Sequence, residues 1–250
     1  MTTVNAMTKQ GGRGWGTRAF QATAAFLAVA VALVSYRYLP QVGPLAPNVM
    51  ENLFARPWLA AHVAGGATAL MIGWLQFLPS VRRRWPAIHR WTGRLYVLGC
   101  VEGGIAGLVL AFGTSSGPIG GLGFGLLAVL WLVTTALGLR TAMERRFDEH
   151  RRWMIRSWAL TLAAVTLRLY LPLSMLVPVP MEDSYRAIAW LCWVPNILIA
   201  EVWLRRRSPD GPSCCRRPGA GGASRARPSA AVLRRSGPGP ARSRRRSPRG

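Results

Sequence analysis

The sequence predicts an all-α fold, a bundle of six transmembrane helices followed by a disordered basic C-terminal tail, and three observations carry that prediction. Half of the 250 residues are apolar and only 16% are charged, a balance suited to folding in lipid rather than around a soluble core. Six apolar runs recur, each long enough to cross a hydrocarbon layer of about 30 Å. The basic residues gather in alternate connections between those runs, as the positive-inside rule requires of a multi-pass protein.

Taken in order, residues 1–17 are polar and Gly-rich and read as a cytoplasmic N-terminal segment, with Lys9, Arg13 and Arg18 around the approach to the first run. A charged start before an apolar run also describes a signal peptide, but no small-residue cleavage site precedes Arg37, so an uncleaved first span is expected. The membrane domain, 18–205, is expected to hold spans at about 19–39, 57–79, 91–112, 118–139, 153–177 and 188–204. Between spans two and three lie Arg82, Arg83, Arg84, Arg90 and Arg94; between four and five lie Arg140, Arg145, Arg146, Arg151 and Arg152. The opposite connections hold the uncharged 114–117 and the stretch 181–186 with Glu182 and Asp183. This pattern predicts both termini on the cytoplasmic side of a bacterial cytoplasmic membrane, with the lipid bilayer as the principal partner. Residues 206–250 are rich in Arg, Pro, Ser and Gly without apolar periodicity, and such a segment cannot bury enough apolar surface to fold. The formal charge of +23 is spread over loops and this tail rather than over one folded face, so no specific nucleic acid is expected. Cys100, Cys192, Cys214 and Cys215 show no metal-ligand spacing.

The fifth span carries Arg156 and Arg168 inside its apolar run, and charge at membrane depth implies function or pairing. His150, Ser157, Thr161 and Arg168 fall along one helical line, a polar stripe expected to face protein. On the second span His62, Gly66, Ala69, Gly73, Gln76 and Ser80 alternate at spacings of four and three, a small-residue seam that lets another helix or a flat ligand approach. Glu102 lies nearer the middle of the third span. His62, Gln76, Glu102, Ser157, Thr161 and Arg168 are therefore the candidates for a polar interior or ligand site. His89 and His150, each followed by Arg and each at the start of a span on the same face, are the candidate ligands of a haem iron. Arg90, Arg94 and Arg151 would then lie near the propionates. Tyr96, Cys100, Gly103 and Gly107 continue the His89 face as a close-approach groove. No Walker-type phosphate loop, no His-Glu-x-x-His helix and no nucleophile elbow is present.

The stretches His62 to Leu70, Gln76 to Pro79, His89 to Tyr96 and Trp153 to Leu171 resemble an uncharacterised bacterial family of predicted multi-pass membrane proteins, a domain of unknown function, over about residues 58–205. The chain also resembles transmembrane b-type cytochromes of the di-haem reductase kind, in which histidines on the four central helices pair across two haems. That resemblance places His89 and His150 on the third and fifth helices. The fourth span has no histidine, so it implies one haem b, at the cytoplasmic face, in electron transfer with a quinone or small reductant. A carrier or small-ligand-binding protein, and a scaffold without cofactor, are the alternative expectations.

Overall fold

The computed structural model describes residues 4–42 and 47–207; the disorder expected of the tail falls almost wholly outside them. Among the described residues every regular element is helical. These are α1 (Val4–Tyr36), α2 (Pro47–Met50), α3 (Ala55–Gly73), α4 (Pro79–Arg84), α5 (Pro86–Phe112), α6 (Gly117–Met143), α7 (Phe147–Thr161), α8 (Ala163–Ser174), α9 (Met181–Leu191) and α10 (Val194–Arg207). Six stretches are long and apolar enough to cross a membrane: Arg18–Tyr36, Ala55–Phe77, Pro86–Phe112, Gly117–Met143, Phe147–Ser174 and Met181–Arg206. The protein is a multi-pass membrane protein.

Local chemistry explains where the helices stop. After α3 the chain tightens into a 3-10 turn, Trp74–Phe77, and Leu78 is extended (φ −79°, ψ 116°), as expected of a residue that precedes a proline. Pro79 and Pro86 then open α4 and α5 in the first turn, where a missing N–H costs nothing. Gly117, at φ +72°, opens α6 in a left-handed conformation that a side chain would strain. The fifth span is two helices in line, α7 and α8, broken at Leu162. The Thr161 hydroxyl bonds back to the Ser157 carbonyl at 2.9 Å, a contact that tends to bend helices. In the sixth span Pro195, near the start of α10, cannot donate to the preceding turn.

The tightest crossing is between α3 and α5. A Cβ on Gly65 would lie 2.6 Å from both Gly103 N and Gly99 O, and one on Gly99 would lie 2.7 Å from Gly65 O. The two backbones touch because neither helix has side chains there. Gly66 joins the seam through its backbone, since a Cβ on Gly103 would lie 2.8 Å from Gly66 N, while the Cβ direction of Gly66 itself meets nothing within 4 Å. From this pair the bundle grows outward: α1 packs on α3, α6 on α5, α7 and α9 on α6, and α10 on α7. Tyr96, Cys100, Trp131, Leu160 and Cys192 form the buried centre. Outside it, Phe26, Leu98, Leu122 and Ile199 are more than half exposed, an apolar surface that lipid solvates and water would not.

Arg156 forms a two-pronged ion pair with Glu201 of α10 and stacks on Trp153, 4.6 Å from the ring centroid. Of the two arginines inside the fifth apolar run, this one is neutralised within the bundle.

Candidate functional site

The candidate residues occupy three levels of the bundle. At the basic end, His150 sits in the first turn of α7 and its Nδ1 lies 2.7 Å from the Gly138 carbonyl oxygen on α6. A carbonyl only accepts, so Nδ1 carries a proton, and the tautomer this selects is the one with its lone pair on Nε2. His89, in the first turn of α5, is half-buried and within electrostatic range of His150. Gln76 reaches it from the 3-10 turn. With the amide oxygen accepting from Thr92 Oγ1 (2.7 Å) and Gly93 N (3.2 Å), the amide nitrogen donates to His89 Nδ1 (3.0 Å) and the His89 carbonyl (3.2 Å). Arg90, Arg94 and Arg151 are exposed around the pair, and Arg94 stacks on Trp91 at 4.9 Å. None of the three arginines makes an ion pair among the described residues.

At the centre, Ser157 and Thr161 belong to a buried hydroxyl network. Tyr96 Oη is 2.9 Å from both Ser157 Oγ and Thr161 Oγ1, Thr135 Oγ1 is 2.7 Å from Ser157 Oγ, and Trp131 Nε1 donates to Thr161 Oγ1 at 2.9 Å. One assignment uses each proton once: Thr135 donates to Ser157, Ser157 to Tyr96, Tyr96 to Thr161, and Thr161 to the Ser157 carbonyl. A network closed in this way ties α5, α6 and α7 together at the depth where unmade hydrogen bonds are most costly. The stripe expected to face protein does so here: Ser157 is 0% and Thr161 4% exposed.

At the end away from the arginine-rich loops, His62 Nδ1 lies 2.8 Å from the Gly103 carbonyl oxygen, and the missing Cβ of Gly107 leaves its ring room. Arg168 donates to the Ala164 carbonyl at 3.0 Å and lies in electrostatic range of His62, Arg37, Tyr38 and Tyr185. Glu102 stands apart from all three levels, exposed on α5 and without a partner among the described residues. The structure thus brings His89 to Gln76 and Ser157 to Thr161 by hydrogen bonds, and leaves His89 and His150, and His62 and Arg168, in electrostatic range of each other. It does not gather the six polar-interior candidates into one cavity. Trp131, Thr135 and Arg37 are the participants that sequence reasoning passed over. Trp131 and Thr135 stand one helical turn apart in an otherwise apolar span, which is the signal that marks them; Arg37 is a lone charge where the first apolar run ends.

No curated protein and no solved structure matches the chain. A family model does match, over residues 59–204, from inside the second span to just short of the end of the sixth. The chain belongs to the family described as Predicted membrane protein (DUF2306).

Proposed function

We propose that the protein is an electron-transfer protein of the bacterial cytoplasmic membrane, holding one haem b between His89 and His150 and exchanging electrons with a quinone or another small reductant. The observation that carries this reading is the presence of two helix-start imidazoles in electrostatic range at one end of the bundle, each with its Nδ1 engaged by the protein. Two imidazoles would hold the iron, His150 through the Nε2 it already offers and His89 after a change of tautomer, with three exposed arginines at the same end for the propionates. Haem b, when bound, supplies reversible one-electron chemistry at the iron.

The chain's own part is to orient the ligands and set their protons. The Gly138 carbonyl holds His150 in the tautomer that a metal needs, the usual task of an outer-shell partner. His89 is held differently, because a donating Gln76 amide places the proton on Nε2. Ligation there requires that proton to move to Nδ1 and the amide to turn its oxygen toward it. The arginine-rich connections support placing this end, and both termini, at the cytoplasmic face.

The test is the visible spectrum of the full chain, produced with ample haem supply and purified in mild detergent, before and after dithionite. A Soret band that shifts on reduction, with a resolved α band, is expected. A spectrum with tryptophan absorbance alone removes the reading.

A further inference from the structure

We infer that Arg37 and Arg168 form a binding site for a phosphate-type oxyanion, at the end of the bundle away from the arginine-rich loops. The contrast with Arg156 leads to it. Arg156 has a carboxylate, Glu201, on the neighbouring helix. Arg168 is embedded in the same span, and its hydrogen bond to the Ala164 carbonyl neutralises nothing. Its electrostatic neighbours are a second guanidinium, two tyrosines and His62, with no acid among them. Arg37 follows the last residue of α1, and its Nε is buried without any hydrogen-bond partner. That guanidinium also lies over the face of the Tyr38 ring, 5.6 Å from the centroid. Of the acids on this side of the bundle, Glu182 and Asp183 both pair with Arg186, and Glu51 is exposed and forms no ion pair with either arginine among the described residues.

Two arginines in electrostatic range, at least one with an orphaned donor, make a cost that no ion pair among the described residues compensates. An oxyanion removes it: guanidinium groups present N–H forks that match its oxygens, and Arg is the side chain suited to that geometry. The place suits a phosphate. Arg37 lies just past the end of a span, and Arg168 stands six residues before the end of α8, about 9 Å deeper at helical rise. A phosphate there sits between headgroup and hydrocarbon depth, and it can come from a phospholipid headgroup or from free phosphate. The inference does not rest on the haem reading, since the two sites lie at opposite ends of the bundle.

The experiment uses the full chain in a maltoside detergent, which carries no anion. Thermal unfolding is followed against inorganic phosphate, with chloride at matched ionic strength, and separately against short-chain phosphatidylglycerol; native mass spectrometry reads any phospholipid that co-purifies. A saturable rise in Tm with a phosphate-bearing probe, or a retained phospholipid, is expected, and Arg37→Gln and Arg168→Gln should each weaken it about tenfold or more. A response to the lipid alone assigns the headgroup; a response to inorganic phosphate as well assigns the oxyanion itself. Arg168→Met, which relieves the repulsion, should leave the unliganded Tm no lower while abolishing the shift. No saturable shift together with no retained lipid overturns the inference, as does a wild-type response in both the Arg37→Gln and Arg168→Gln proteins. Arg37→Gln, at a helix end, keeps the test open if the α8 variants do not fold.

Discussion

Single side chains carry the polar logic of this bundle, and Tyr96 carries most of it. Its hydroxyl is the link between Ser157 and Thr161, and the side chain is 1% exposed. Tyr96→Phe keeps the ring and strands two buried hydroxyl contacts, so it should cost about 1–3 kcal/mol. Chemical denaturation in mixed micelles measures this, and an unchanged midpoint would mean that the network is already broken in solution. The sequence displays Ser157 and Thr161 as part of a stripe because their spacing is helical. It does not display Thr135 or Trp131 as their partners, because pairing across helices depends on the rotation of α6 about its axis, which a nearly uniform apolar sequence leaves open. The same limit separates the two arginines of the fifth span. Arg156 and Arg168 look alike in sequence, and only the placement of α10 reveals that Glu201 is within reach of the first.

Between helices, close approach and charge pairing do the work. Gly65→Ala puts a methyl carbon 2.6 Å from α5 backbone, where nothing flexible can yield. A loss of about 1–3 kcal/mol is expected, whereas Gly66→Ala, whose Cβ meets nothing within 4 Å, should be close to neutral; thermal melts of the two variants side by side decide. The sequence marks this helix as a small-residue seam, and the alternation from His62 selects Gly66, whose backbone meets Gly103, without singling out Gly65, whose Cβ direction is the blocked one. Two adjacent glycines lie 100° apart on a helix, and the crossing angle chooses between them. The Arg156 and Glu201 pair makes a second claim at this scale. The side chains are 17% and 30% exposed, so breaking the pair costs less than a fully buried one, on the order of 2 kcal/mol. Arg156→Met and Glu201→Met should each destabilise, and the double variant should recover most of the loss. Strictly additive losses would show that the pair is incidental.

For the molecule as a whole, the sequence makes the architecture legible because membrane chemistry is coarse. Span length, alternating basic loops and the absence of strand periodicity all follow from the need to satisfy every backbone group inside lipid. Breaks within spans are less legible: α7 and α8 part at Leu162 with no proline or glycine there to announce it. Polar groups then sort by depth into two histidines at the basic end, a closed hydroxyl network at the centre and, at the far end, two arginines without an ion pair among the described residues. That sorting gives the haem reading a directional consequence, because His62 has the same kind of Nδ1 contact as His150 but lies at the opposite end. The most direct measurement is the haem-to-protein ratio, by pyridine haemochrome, of His150→Ala and His62→Ala beside the unaltered protein. The account predicts that His150→Ala loses most of the haem while His62→Ala keeps it. Equal retention in both, or loss in His62→Ala alone, would contradict the assignment of the cofactor to the basic end.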